Sequence, residues 1–274
     1  FSEGVMRLVL IAGVVFYLTG CGGSNKAVEN TPVPVTPVTP PSSSLTSLPL
    51  PDNTQSADYR ILFIGNSHTS GNQLPTIVEN LIKENSDSTV EVVKAASSAF
   101  LSEHIELQST LDTFHSKQWT HVVLQAQKVS SSQSVYYPTD AAKRWVELTK
   151  STHNATPVFF AEHPQKGNQS EALHIHNIYS RIADEHPACV APIGHAWDNY
   201  KATYTEAELW SADGNHANIN GSHLTALVLY TVITGEKSEN IQTFSTRIDE
   251  QLQQVFAQVS DQTNIEYPAC NFPS

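Results

Sequence analysis

The sequence predicts an α/β protein, a three-layer α/β/α sandwich on a five-stranded parallel sheet, and three observations lead to that class. Short apolar runs recur along the chain and stop at Gly, Pro or polar residues, as strands buried on both faces do. Segments with apolar residues at helical spacing separate them, so strands and helices alternate. The stretch from Asp58 to Ser274, about 215 residues, is a usual size for one domain with a single core.

The first strand is Tyr59–Ile64, which ends at Gly65. Leu74, Ile77, Val78, Leu81 and Ile82 predict a helix over 73–85. Thr89–Val93 is the second strand and 101–115 the next helix. His121–Gln125 reads as the third strand, followed by a helix over Ala141–Lys150. Pro157–Ala161 is the fourth strand, with a helix near 170–185 after it. Cys189–Ile193 is a weaker fifth strand. Ser222–Thr234 predicts a strongly apolar helix, and 243–259 a polar amphipathic one. Alternation of this kind specifies βαβ units in a flavodoxin-like architecture. Ligands of such sheets collect at the carboxyl ends of the strands, so functional residues are expected just after them.

The first fifty or so residues do not belong to that domain. Met6-Arg7, the apolar run Leu8–Leu18 and Thr19-Gly20-Cys21 form a secretory signal over residues 1–20, too short for a confident membrane span. Leu18-Thr19-Gly20-Cys21 resembles the bacterial lipobox, which implies a lipid on Cys21 and a membrane anchor in the cell envelope. Gly22 in place of Asp after the cysteine points to the outer membrane, on its periplasmic or surface face. Residues 21–57 are expected to be a disordered linker, since seven of the fifteen prolines lie between Pro32 and Pro51 among Val, Thr and Ser. An oxidising compartment allows Cys189 and Cys270 to pair, and spacing alone does not decide whether they do. A formal charge of −12 excludes a nucleic-acid partner of the usual kind, because phosphate binding needs a basic surface.

Two motifs carry chemistry. Gly65-Asn66-Ser67-His68-Thr69 puts a serine at the end of the first strand, where a nucleophile would be useful; a helix-capping turn serine is the bland alternative. Asp213-Gly214-Asn215-His216 brings a carboxylate and an imidazole within one turn, able to orient and charge-stabilise the base that serine hydrolysis requires. Together the motifs resemble the SGNH (GDSL-like) hydrolase superfamily, across essentially all of residues 58–235. The resemblance implies a cofactor-free serine esterase with Ser67, Asp213 and His216 as its triad. It also implies an oxyanion hole from the Ser67 N–H, a backbone N–H after strand two and an amide after strand three. Here those positions hold Ser98, where glycine is usual, and Leu124-Gln125-Ala126-Gln127, with Gln127 the first choice and Gln125 the second. Asn66 stands where many members have Asp.

The remaining conspicuous residues carry less. Twelve histidines invite a metal, but His174 and His176 sit two apart on a helix and no ligand-spaced motif appears, so no metal is expected. Glu162-His163-Pro164 is expected as a solvated loop, with pocket lining the alternative. Trp197 and Trp210 fit core packing at least as well as sugar stacking. The expected substrate is an acyl ester, above all an acetyl ester of a carbohydrate or glycolipid. A lipase or thioesterase, and a non-catalytic glycan-binding lipoprotein, are the rivals.

Overall fold

The computed structural model describes residues 47–243 and 247–273; the signal segment, Cys21 and most of the linker lie outside them. Strands β1 (Asp58–Ile64), β2 (Thr89–Lys94), β3 (His121–Leu124), β4 (Thr156–Phe160) and β5 (Cys189–Ala191) form one parallel sheet in the order β2-β1-β3-β4-β5. The interior strand β1 alternates its side chains between two cores. Ile61 and Phe63 enter one with helices α2 (Leu74–Glu84), α7 (Ile193–Thr203), α8 (Ile219–Thr234) and α9 (Glu250–Glu266). Leu62 and Ile64 enter the other with α3 (Leu101–His104), α4 (Gln108–His115), α5 (Asp140–His153) and α6 (Glu171–Glu185). Burying both faces of a parallel sheet requires two helical layers, so the three-layer sandwich follows directly.

Helix α8 is apolar all round because α2, α7 and α9 surround it. Gly235 closes it at φ 72°, a left-handed cap that favours glycine.

The larger departures from the sequence reading have local causes. The expected 101–115 helix breaks at 105–107, which turns Thr110 back so that its hydroxyl meets His104 Nδ1 at 2.8 Å. The expected end of strand five, Ile193, instead starts α7, which crosses α6 so closely that a Cβ on Gly194 would stand 2.9 Å from Ala172 Cβ. The last helix begins at Glu250, capped by Asp249 accepting from Leu252 N, and runs on to Glu266. The described part of the expected linker is also packed on the domain. Leu50 is buried, Thr156 Oγ1 donates to Pro51 O, and Ser47 Oγ donates to Glu147 on α5. One buried leucine and a handful of hydrogen bonds suffice to dock a segment whose composition reads as disordered.

Cys189 and Cys270 are joined as a disulfide, and Val190 N donates to Ala269 O beside it, so the C-terminal tail is fastened to the edge strand β5.

Candidate active site

Strand β1 ends at Gly65, and the chain turns into a four-residue helix α1 (Ser67–Ser70). Both sides of that turn are held by buried side chains. His104 Nε2 donates to Gly65 O at 3.0 Å, and Asn66 N donates to Gln125 Oε1 at 2.9 Å. Thr69 Oγ1 donates to the same Gln125 oxygen. The crowding explains Gly65: a Cβ there would lie 2.2 Å from Thr69 Oγ1 and 2.5 Å from Gln125 Oε1. Asn66 caps α1 by accepting from His68 N, a bond that a carboxylate at the same position would also accept. Ser67 is left exposed at the start of α1, with its N–H donating to no acceptor among the described residues.

The second motif folds as a tight turn braced by its neighbours. Asp213 Oδ1 accepts from the backbone N–H of Asn215 and of His216, at 2.9 and 3.0 Å. Gly214 takes φ 69°, which closes the turn. Residues after β4 support it from below: His163 Nε2 donates to Asn215 O, and Lys166 N to Gly214 O. His163 stacks on Trp197 at 3.9 Å between ring centroids, and Trp210 Nε1 donates to Pro164 O.

The fold brings the two motifs together. Ser67 Oγ lies 2.8 Å from His216 Nε2, and His216 Nδ1 lies 2.6 Å from Asp213 Oδ2. An ionised carboxylate only accepts, so Nδ1 carries the ring proton and Nε2 is the acceptor for the serine hydroxyl. The hydrogen bond from His216, then those from the two backbone N–H groups, hold the Asp213 carboxyl well below the usual carboxylate range. His68 stacks on His216 with ring centroids 4.9 Å apart. Burial, and then the His216 charge, lower the His68 pKa to about 4, so it is neutral at neutral pH.

The expected oxyanion residues fare differently. Ser98 sits exposed in the loop after β2, its hydroxyl without a partner among the described residues. Gln127 is not free to donate to a substrate: both protons of its amide are committed, to Lys128 O and Pro138 O at 3.1 Å each. Gln125 is fully buried with its oxygen under the Ser67 turn, so it positions Ser67 rather than facing outward. Between them, Ala126 takes φ 75°, and this left-handed residue sends the two glutamines to different tasks.

Glu162 and His163 do not form a solvated loop. His163 is 4 % exposed, and burial lowers its pKa to about 3. Glu162 is pushed up to about 7 by burial, while the Tyr179 hydroxyl, 3.2 Å from its carboxylate, and the Gln125 amide pull the other way. Trp197 and Trp210 are buried, so they pack the core rather than stack on a sugar. Of the supports beneath the site, sequence reading did not single out His104, and it gave Gln125 and His163 other tasks, an oxyanion amide and a solvated or pocket-lining loop. Gln125 and His163 stand just beyond the ends of β3 and β4, whereas His104 sits on α3 with no such signal. Among the described residues, no group of three or more His, Cys, Asp or Glu is arranged to hold a metal ion.

No protein-family model and no curated protein matches the chain. Among solved structures it is similar to a protein from Slackia heliotrinireducens named for the SGNH hydrolases. That match has 25 % identity over 63 % of this chain and 97 % of that one, at a TM-score of 0.49. A Desulfitobacterium hafniense protein named for the G-D-S-L lipolytic family is 19 % identical over 63 % of this chain and 98 % of that one, at 0.44. A DUF4886 family protein from Bacteroides uniformis is 15 % identical over 77 % of this chain and 96 % of that one, at 0.60. That last superposition carries the structural assignment: the chain has the α/β/α fold of the DUF4886 family protein.

Proposed function

We propose that this protein is an SGNH-type serine esterase that hydrolyses acyl esters, with acetyl esters of a carbohydrate or glycolipid as its substrates. The observation that carries the reading is the unbroken line from Ser67 Oγ through His216 to Asp213, at 2.8 and 2.6 Å. These are hydrogen-bond distances for a nucleophile, its base and an orienting carboxylate.

In the first half-reaction Ser67 Oγ bonds to the ester carbonyl carbon while its proton passes to His216 Nε2. Asp213 stabilises the imidazolium through Nδ1–H. The tetrahedral oxyanion is received by the free N–H of Ser67, with the Ser98 N–H as its partner donor. Collapse breaks the bond to the alcohol, which leaves with the proton from His216. Water then attacks the acyl-serine, giving its proton to His216, and the carboxylic acid departs as Ser67 regains its hydrogen. The Gln127 amide, committed to Lys128 O and Pro138 O, does not complete this hole. Losing one such donor costs about 10²–10³ in rate, so a modest turnover is expected.

Location belongs to the same proposal. A lipid on Cys21 would hold the enzyme in a bacterial envelope, where acylated glycans are accessible substrates.

The test is p-nitrophenyl acetate hydrolysis by the purified full chain beside its Ser67→Ala variant, with fluorophosphonate labelling. We expect the variant to lose at least about 10³ in kcat/KM and all labelling. Undiminished turnover in the variant would refute the serine mechanism, as would a folded wild-type chain that neither hydrolyses nor labels.

A further inference from the structure

We propose that the cavity beneath the β3–α5 loop is a subsite for a carboxylate-bearing sugar ring of the substrate, a refinement that rests on the esterase reading above. The cavity, of about 230 Å³, is lined by Lys128, His174 and Arg181 together with Tyr136, and no carboxylate lines it. In a chain of formal charge −12, three basic side chains around one acid-free hollow run against the average surface.

The two permanent cations are also unspent. Neither Lys128 nor Arg181 forms an ion pair among the described residues, whereas the neighbouring Lys143 is paired with Glu185. Arg181 Nε donates to Asn177 O on its own helix, which leaves the two terminal amino groups for a carboxylate fork. The Lys128 ammonium lies 4.8 Å over the Phe100 ring and 5.6 Å over Tyr137, held in place by two aromatic faces rather than by an acid. Tyr136 is 72 % exposed at the rim, and Val135 beside it is 52 % exposed. Apolar faces beside unpaired cations suit a ring with C–H surface and one negative group. The volume, below the roughly 300 Å³ at which pockets for drug-sized ligands begin, suits a single ring.

The loop is built rather than loose. The Gln127 amide ties Lys128 O to Pro138 O, Gln133 Nε2 donates to Ser170 Oγ, and Asn168 Nδ2 donates to Ser131 O. It is also connected to the candidate site along the chain. It leaves the carboxyl end of β3 immediately after Gln125, the residue under the Ser67 turn, and Phe100 belongs to the loop that carries Ser98.

The experiment uses three polymers matched in acetyl content: acetylated dextran, acetylated carboxymethyl-dextran and acetylated dextran sulfate. They are titrated calorimetrically into the full-length Ser67→Ala chain, with and without Lys128→Gln and Arg181→Gln, and their KM values are measured with the wild type. We expect the carboxymethyl polymer to bind about tenfold tighter than neutral dextran at low salt, and the preference to fade with added salt. In the Lys128→Gln/Arg181→Gln chain, at unchanged thermal midpoint, the ratio falls to about one. Equal affinity for all three polymers, or a ratio that survives the substitutions, overturns the proposal; tighter binding of dextran sulfate overturns its carboxylate assignment. Because the titration needs no turnover, a wild type inert on p-nitrophenyl acetate would sink the esterase reading while the subsite still stood or fell on binding.

Discussion

At the scale of single residues, the site rests on one position with no room for a side chain. Gly65 packs against Thr69 Oγ1 and Gln125 Oε1, which are bonded to each other and fully buried. Gly65→Ala forces that pair apart, and overpacking of this kind costs about 1–3 kcal/mol. Because Ser67 follows two residues later, we expect a lowered melting temperature together with a loss of about 10² in the rate on p-nitrophenyl acetate. An alanine variant with wild-type rate and stability would mean the turn can relax freely. Glu162 gives a second residue-level outcome. Its raised pKa favours the native state at low pH, and that contribution is lost as pH rises from about 4.5 through about 7. Glu162→Gln should therefore gain stability relative to wild type between pH 5 and 8, on the order of 3 kcal/mol at the upper end, as chemical denaturation at each pH would report. Ser67, Asp213 and His216 were legible because residue type and local spacing define them. The assignment of Gln127 failed because an alanine at φ 75° breaks the alternation that a strand end implies.

At the scale of elements, strands and long helices were legible wherever periodicity ran for several turns or a run was wholly apolar. What escaped depends on tertiary packing. Helix α7 begins at Ile193, which reads as the tail of a strand until α6 is placed against Gly194. The docked segment 47–57 is held by partners about a hundred residues away, such as Glu147 and Thr156. The loop after β3 offers the test at this scale. If Gln127 is its staple, Gln127→Ala leaves Lys128 O and Pro138 O without their donor, a loss of about 1–3 kcal/mol. Hydrogen exchange should then quicken over 128–138 while β1 and β3 keep their protection. Uniform loosening of the whole domain would argue against a local role.

At the scale of the molecule, buried neutral histidines set the acid limit. Burial lowers His121 and His163 to about 3, and His68, His176 and His223 to about 4. Each is more easily protonated in the unfolded chain, so the stability it contributes is complete above about pH 6.5 and lost as pH falls below it. Five such groups at up to about 1.4 kcal/mol per pH unit each outweigh the opposite trend of Glu162. All five act in the same direction, so we expect stability to fall as pH drops below about 6.5 and the native state to be lost by about pH 4, followed by circular dichroism. Retained near-ultraviolet signal at pH 4 would contradict it. The alternation of elements made the three layers legible; the order β2-β1-β3-β4-β5 and the bond from Cys189 to Cys270 required three-dimensional structure.

The docking of residues 47–57 has a directional consequence. Asn53 N donates to Thr156 Oγ1 at the first residue of β4, so the segment lies at the amino edge of the sheet, while Ser67 follows the last residue of β1. Entrance and workplace occupy opposite poles. A domain fixed to any support through residue 47 would hold Ser67 outward, and large polymers could reach it without passing the point of attachment.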